Sequence, residues 1–259
     1  MKKWYPEHYK FKITVISVGD DGNPQHCRNG HEVGDTYECS YGCPGGFCSK
    51  TASRLFTIQE AVRSGGDLRL LIAGAEKHSC KIPCADHVVT FKVEAELNYT
   101  IELLCKEHLP IYADVIRKSF ATVAQDFGWT KDNAPGHVSF RTDDQLASKQ
   151  EDGYYPFGLF ADRNLVGFVS LTDMGNGLYE LSRLSVLPSW RHIGYGKKLL
   201  DFCKEKVIEL GGNKITLDLI EENTILKTWY AANGFVHTGT KKFEHLPFTT
   251  GYMEWEAAK

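Results

Sequence analysis

The chain of 259 residues has no apolar run approaching the roughly 20 residues that cross a bilayer, so no membrane association is expected. It also lacks an excess of one charge. Its 30 Lys and Arg against 33 Asp and Glu leave a formal net charge of −3, which gives no global attraction to nucleic acid or to an anionic membrane. The opening "MKKWYPEHYKFKITV" is basic, but no apolar signal segment follows it. The expected location is therefore the cytoplasm, where thiols stay mostly reduced. There is no internal repeat, no low-complexity tract and no long linker. None of the cysteine spacings is the C-x2-C knuckle of common zinc sites.

The cysteines that are present are unevenly placed. Cys27, Cys39, Cys43, Cys48, Cys80 and Cys84 lie in the first third, and only Cys105 and Cys203 lie beyond it. That imbalance predicts two domains, 1–95 and 96–259. In the first, "KFKITVISV" and "HVVTFKVEAEL" alternate at period two and read as strands. "TASRLFTIQEAVRSGG" reads as a helix closed by Gly65-Gly66. A small β-rich α+β unit follows from this. A core of that size is marginal, and a metal or a docked partner domain would help it.

From Leu97 the elements change. "LNYTIELLC" reads as a strand, and Leu109, Ala113, Ile116, Phe120, Val123 and Phe127 recur at helical spacing. "YYPFGLFAD" and "NLVGFVSLTD" form a strand pair across Asp162-Arg163-Asn164, and "GLYELSRLSVL" is a further strand. A helix is predicted over Ile193–Leu210, then strand "KITLDLI", helix "NTILKTWYAAN" and two last strands. The alternation indicates mixed α/β with a parallel element in the middle.

The chemistry is concentrated where "LSVLPSW" hands over to "RHIGYGKKLL". The first N–H groups of a helix have no internal acceptor, and the macrodipole places partial positive charge there. Glycines let a phosphate approach that backbone closely. Arg191, His192, Ile193, Gly194, Tyr195, Gly196 and Lys197 therefore read as the seat of a polyanion, a pyrophosphate above all, with Arg191 and His192 adding side-chain donors. The stretch is not a P-loop, because no Ser or Thr follows Gly196-Lys197, and it is not the dinucleotide G-x-G-x-x-G.

"R-x-x-G-x-G" opening an amphipathic helix resembles the acetyl-coenzyme A loop of the GNAT acetyltransferase family. Thirty residues on, Asn223, Trp229, Tyr230, Gly234 and Phe235 in "NTILKTWYAANGF" resemble its second signature. The resemblance implies a splayed central sheet flanked by helices, with acetyl-coenzyme A as cosubstrate. It implies that the pantetheine arm lies on the backbone of Leu184, Ser185 and Val186, with Asn223 and Trp229 nearby. It also implies Glu180 as general base and Tyr230 as proton donor to the departing thiolate. Asn223 is at the same time a favoured helix cap, and Glu180 at the same time a candidate ion-pair partner of Arg183. The acceptor amine is expected against residues 119–150 and 243–250, whose Trp129, His137, Phe140, Phe243, His245 and Phe248 suggest a small-molecule or amino-acid-like acceptor. No carboxylate cluster marks a polyamine site.

Residues 27–91 resemble a small uncharacterised bacterial domain, which implies no activity. Cys27, His31, Cys43 and Cys48 form a candidate set for a structural zinc, with reduced unliganded thiols and a redox role as the other readings. A binding module that senses acyl-coenzyme A through its fold and uses the cysteine-rich head to hold a partner or metal, without turnover, is the rival to an enzyme. A homodimer is the assembly considered, and nucleic-acid binding is not expected, because residues 20–48 carry no basic cluster.

Overall fold

The computed structural model describes residues 7–147 and 153–258. The start of the basic opening and residues 148–150 of the expected acceptor wall lie outside them. The chain folds as two compact units, one up to Tyr99 and one from Thr100. The junction falls four residues beyond the expected 95/96. The reason is local: β4 (Val89–Leu97) stays in the first sheet to its end, and the Asn98 N–H donates to the His8 carbonyl. The expected strand over 97–105 is thereby cut back to β5 (Thr100–Leu103).

In the first unit, β1 (Tyr9–Val18) pairs antiparallel with both β2 (Thr36–Cys39) and β4, and β4 pairs with β3 (Ser79–Pro83). Period-two alternation along β1 buries Phe11, Ile13 and Val15 against Leu55, Ile58 and Val62 of α1 (Ser49–Arg63). Arg63 lies over the rings of Phe11 and Tyr41 and meets buried Glu7 at 3.3 Å. β2 and β3 fall in stretches to which the sequence reading gives no element, because each is short and Gly or Pro stands close by.

The expected zinc set is corrected. Among the described residues no group of three or more His, Cys, Asp or Glu is placed to hold a metal ion. His31 is buried with both ring nitrogens engaged. Nε2 meets the Asn29 amide at 3.2 Å, and Nδ1 meets the Tyr37 hydroxyl at 2.7 Å. Cys43 is exposed with its thiol toward the Pro44 carbonyl, and Cys48 is the N-cap residue of α1. Cys27, His31 and Cys48 do line one cavity, but Cys43 is not among its walls.

The second unit is a seven-stranded sheet in the order β10-β11-β9-β8-β7-β6-β5. Its strands are β6 (Tyr154–Ala161), β7 (Asn164–Asp173), β8 (Leu178–Val186), β9 (Lys214–Ile220), β10 (Val236–Lys242) and β11 (Thr249–Glu256). All neighbours pair antiparallel except β8 and β9, which are parallel. The two long helices cover opposite faces, as two adjacent residues of β7 show. Phe168 stacks on Tyr112 of α2 (Leu109–Asp126) at 4.9 Å, while Gly167 sits beneath Leu199 of α4 (Tyr195–Glu209). A Cβ on Gly167 would stand 2.9 Å from Leu199 Cδ1, so glycine sets how closely α4 approaches the sheet. The stripe Leu199, Leu200, Cys203 and Val207 is fully buried, and burial drives the Cys203 thiol far above the ordinary range. The short helices α3 (Asp143–Ala147) and α5 (Thr224–Ala232) complete the unit. Among the described residues no helix is long and apolar enough to cross a membrane.

Candidate active site

The site begins where the sheet comes apart. β8 and β9 pair only over Leu178–Glu180 and Lys214–Thr216, although β8 runs on to Val186 and β9 to Ile220. Beyond Glu180 the β9 side of β8 is unpaired. Which groups face that gap follows from register. The Leu187 N–H donates to the Val166 carbonyl, so Leu187 bonds toward β7 and Val186, one residue earlier, turns its N–H and C=O the other way. The Val186 carbonyl accordingly accepts from Arg191 Nε at 2.9 Å.

A bulge separates this segment from the paired part of β8. Phe168 faces Ser185 and Ser170 faces Ser182, so Arg183 and Leu184 together oppose Val169. Arg183 takes up the extra residue with φ 56°, and the buried Ser185 hydroxyl donates to its carbonyl at 2.7 Å. Positive φ at arginine is not legible in sequence, and this residue was expected only as an ion-pair partner for Glu180. Instead its Nη1 donates to the Leu146 carbonyl at 2.9 Å.

After β8, a 3-10 turn (Pro188–Trp190) leads to residues 191–194, where His192 has φ 64° and Gly194 φ 118°. The helix therefore starts at Tyr195 rather than Ile193, since Gly194 is its left-handed cap residue. No side chain caps α4, and the first-turn amides have no intrahelical acceptor. Gly196 lies under Trp229 and Val186. A Cβ there would stand 3.8 Å from Trp229 Cζ2 and 3.9 Å from Val186 Cγ2, so α4, α5 and the end of β8 converge on this point.

Two side chains of the loop are otherwise occupied. Arg191 turns into the protein, with Nη1 on Thr122 Oγ1 at 2.9 Å and Nη2 on the Ser119 carbonyl at 2.7 Å, both on α2. Burial lowers its pKa below the ordinary arginine value. Its side chain is thus a brace that ties the loop to α2 and β8, in place of the expected phosphate donor. Lys197 Nζ holds Asp201, one helical turn on, at 2.7–2.8 Å. His192 remains exposed and Ile193 and Leu184 partly buried. The Tyr195 side chain is buried against Trp190.

Asn223 caps α5, its side-chain oxygen accepting the Leu226 N–H at 3.0 Å. Tyr230 is buried, packed edge-on against Trp229 and Phe235 at 5.0 and 5.5 Å. Burial, with smaller effects from Cys203 and Asp218, drives its pKa far above the ordinary phenol value, so it keeps its proton at neutral pH. Glu180 stands in the last β8 row still paired with β9. Tyr179 packs toward α4 beneath Gly212, so alternation puts Glu180 on the α2 face. Its Oε1 accepts the Ser182 hydroxyl at 2.7 Å.

On that same face an aromatic group has assembled beside α2. Trp129 packs on Phe127, His137 and Phe248 at 4.9, 5.1 and 5.1 Å, and His137 packs on Phe140 at 5.8 Å. The two expected acceptor segments therefore meet, at Trp129 and Phe248. Phe243 and His245 pair with each other instead. Burial, then the charge of Arg141, lowers the His137 pKa and favours a neutral ring.

The site is thus a mixed sheet opened between two parallel strands, with an uncapped glycine-flanked helix start by the opening. In fold the chain is similar to two solved N-acetyltransferases. The Thermoplasma acidophilum PaiA N-acetyltransferase, in complex with coenzyme A, superposes with TM-score 0.52 at 22% identity, over 61% of this chain and 99% of that one. The Escherichia coli ribosomal-protein-S18-alanine N-acetyltransferase gives TM-score 0.51 at 16% identity, over 62% and 95%. In sequence, an uncharacterized N-acetyltransferase in the pepI 3′ region of Lactobacillus delbrueckii subsp. lactis is 28% identical over 156 residues, 54% of this chain and 84% of that protein. Residues 121–235, within the second unit, match the Acetyltransferase (GNAT) family.

Proposed function

We propose that the protein moves an acetyl group from acetyl-coenzyme A to the amine of a small molecule, by direct attack with both substrates bound. The carrying observation is the pairing of β8 and β9 that ends at Glu180 and Thr216, with an uncapped helix start by Val186 at the far end of β8. The diphosphate rests on the amides of residues 191–197. Gly194 supplies the left-handed turn, and Gly196 leaves the backbone bare. The pantetheine arm lies along β8 at Leu184–Val186 and meets the outward N–H and C=O of Val186. Trp229 and Asn223 bound it on the α5 side.

The acceptor enters from the α2 face, past Trp129, His137, Phe140 and Phe248. Alkylamines reach a protein protonated, with a pKa near 10. Glu180, on that face and at the vertex of the opening, takes the proton, directly or through water. The thioester supplies the activated acetyl carbon when bound. As the C–S bond breaks, Tyr230 gives its proton to the sulfur, a role its retained proton suits. Each transfer contributes roughly 10²–10⁴ in rate.

The test is release of free thiol from acetyl-coenzyme A with a panel of amines. Release that depends on an amine and falls in Tyr230→Phe supports transfer. Tight binding of the carrier with no release for any amine, and indifference to Tyr230→Phe, would overturn it in favour of a sensing module.

A further inference from the structure

Resting on the acetyl-transfer reading, one cluster on the α2 face specifies what the acceptor carries besides its amine. Register places Tyr154 opposite Thr172, and Thr172 opposite Glu180, so Tyr154 and Glu180 stand in one cross-strand row and point to the same face. They are two strands apart, roughly 10 Å by ordinary sheet spacing. Three residues beyond Glu180, the bulge throws Arg183 onto that face, where its Nη1 meets the Leu146 carbonyl. An arginine with φ 56° costs energy that an ordinary strand residue would avoid, and such strain gathers at functional positions.

The hydrogen-bond accounting then falls short at two atoms of this cluster. Arg183 Nη2 and the Tyr154 hydroxyl are both buried; Nη2 has no acceptor, and the hydroxyl faces the Ser170 side chain without reaching full hydrogen-bond geometry. Both can donate, and the two side chains are close enough to influence each other's ionisation. Ser170, on the same face, has already spent its proton on the Ser182 carbonyl. Arg141 adds a second positive charge acting on Arg183, and its Nε serves only the Gly136 carbonyl. Among the described residues no carboxylate stands within ion-pair distance of either guanidinium; Glu180 acts on Arg183 only from further away. Buried polar groups in native proteins are paired, and an exception calls for a cause. Two neighbouring donors and two cations, with no carboxylate among the described residues to pair with them, describe half of an anion site.

We infer that the acceptor carries a carboxylate, seated on Arg183 Nη2 and the Tyr154 hydroxyl, with its amine directed along the same face to Glu180. The acceptor is then an amino acid or an amino-acid-like molecule, and Arg183 and Tyr154 set specificity without touching the reacting atoms.

The experiment measures kcat/KM for free amino acids, each beside its carboxamide and beside the amine lacking the carboxyl group. The wild-type protein should favour the acid over both partners by roughly ten- to a hundredfold, the range for hydrogen bonds to a charged group, and chiefly through KM. Arg183→Gly keeps the positive φ without strain, and Tyr154→Phe removes only the hydroxyl. In each, the acid-to-amide ratio should collapse toward one. Acetylation of all three forms alike overturns the carboxylate site and leaves acetyl transfer standing. A preference that survives both variants also overturns it. No acetylation of any amine, despite carrier binding, removes the transferase reading and this inference with it. The wild-type ranking alone decides the case should neither variant fold.

Discussion

Substituting Gly196 by alanine separates what the helix start does for folding from what it does for a ligand. Gly196 is the second residue of α4 and has ordinary helical backbone. The new methyl meets Trp229 and Val186 at 3.8 and 3.9 Å, which is plain van der Waals contact. Nothing in the protein has to move. Alanine is favoured over glycine in a helix by up to ~1 kcal/mol, so the folded unit should hold or gain stability. For a domain of this size that is a rise of about 2–4 °C at most. The same methyl stands in the notch where α4, α5 and β8 converge, and there it keeps a phosphate off the backbone. A ten- to hundredfold loss of affinity is about 1.4–2.7 kcal/mol. Calorimetry with coenzyme A and a thermal melt, on one preparation, should therefore move in opposite senses. Unchanged coenzyme A affinity would refute the placement of the diphosphate. A loss of affinity matched by an equal loss of stability would refute the argument that the glycine is kept for the ligand.

Three further outcomes follow from the same geometry. Arg191→Lys cannot serve Val186, Thr122 and the Ser119 carbonyl together. It should cost roughly 1–3 kcal/mol in a denaturant melt and raise KM for acetyl-coenzyme A more than it lowers kcat, with Thr122→Val a weaker copy. Tyr230→Phe and Glu180→Gln should each lower kcat by about 10²-fold or more with KM for the carrier little changed. Burial holds His31 below its ordinary value. The unfolded chain therefore takes up that proton first, near pH 6.5. Stability from this group is full above that pH and falls as pH drops through it. His31→Gln should flatten the dependence of Tm on pH between 7 and 5; a slope identical to the wild type would count against this.

The second unit was readable because its signals are local. Helical spacing marked α2 and α4, turn residues marked the β6–β7 hairpin, and Gly194 and Gly196 stand where backbone geometry and ligand approach demand glycine. What escaped is set by tertiary contact. That Arg191 turns inward depends on α2 passing within reach of the loop, seventy residues earlier in the chain. That Arg183 is left-handed depends on a one-residue slip between β7 and β8, which changes no composition and breaks no period. Arg191 read as a phosphate donor and Arg183 as an ion-pair partner of Glu180, and the structure ties each to a backbone carbonyl instead.

In the first unit the cysteine content leaves zinc open beside reduced unliganded thiols and a redox role, and the fold assembles no zinc site among the described residues. Six cysteines in 58 residues suggested a metal because soft ligands in a marginal core so often hold one. The unit instead stabilises itself with a four-stranded sheet, a 15-residue helix and the Glu7–Arg63 pair. Its thiols are spread through that framework. Cys80 is buried in β3, where burial pushes it up to about 11. The Cys84 sulfur accepts the N–H groups of Val88 and Val89 at 3.3 and 3.2 Å. The Cys39 sulfur accepts from Gln59 at 3.1 Å. A sulfur that receives amide protons fills the place of a turn-capping oxygen, and that use needs no convergence of ligands. Ligand spacing along a chain predicts a metal site only where the fold brings the spaced residues to one point; here Cys27, His31 and Cys48 line one cavity that Cys43 does not, and among the described residues no group of three is placed to hold an ion.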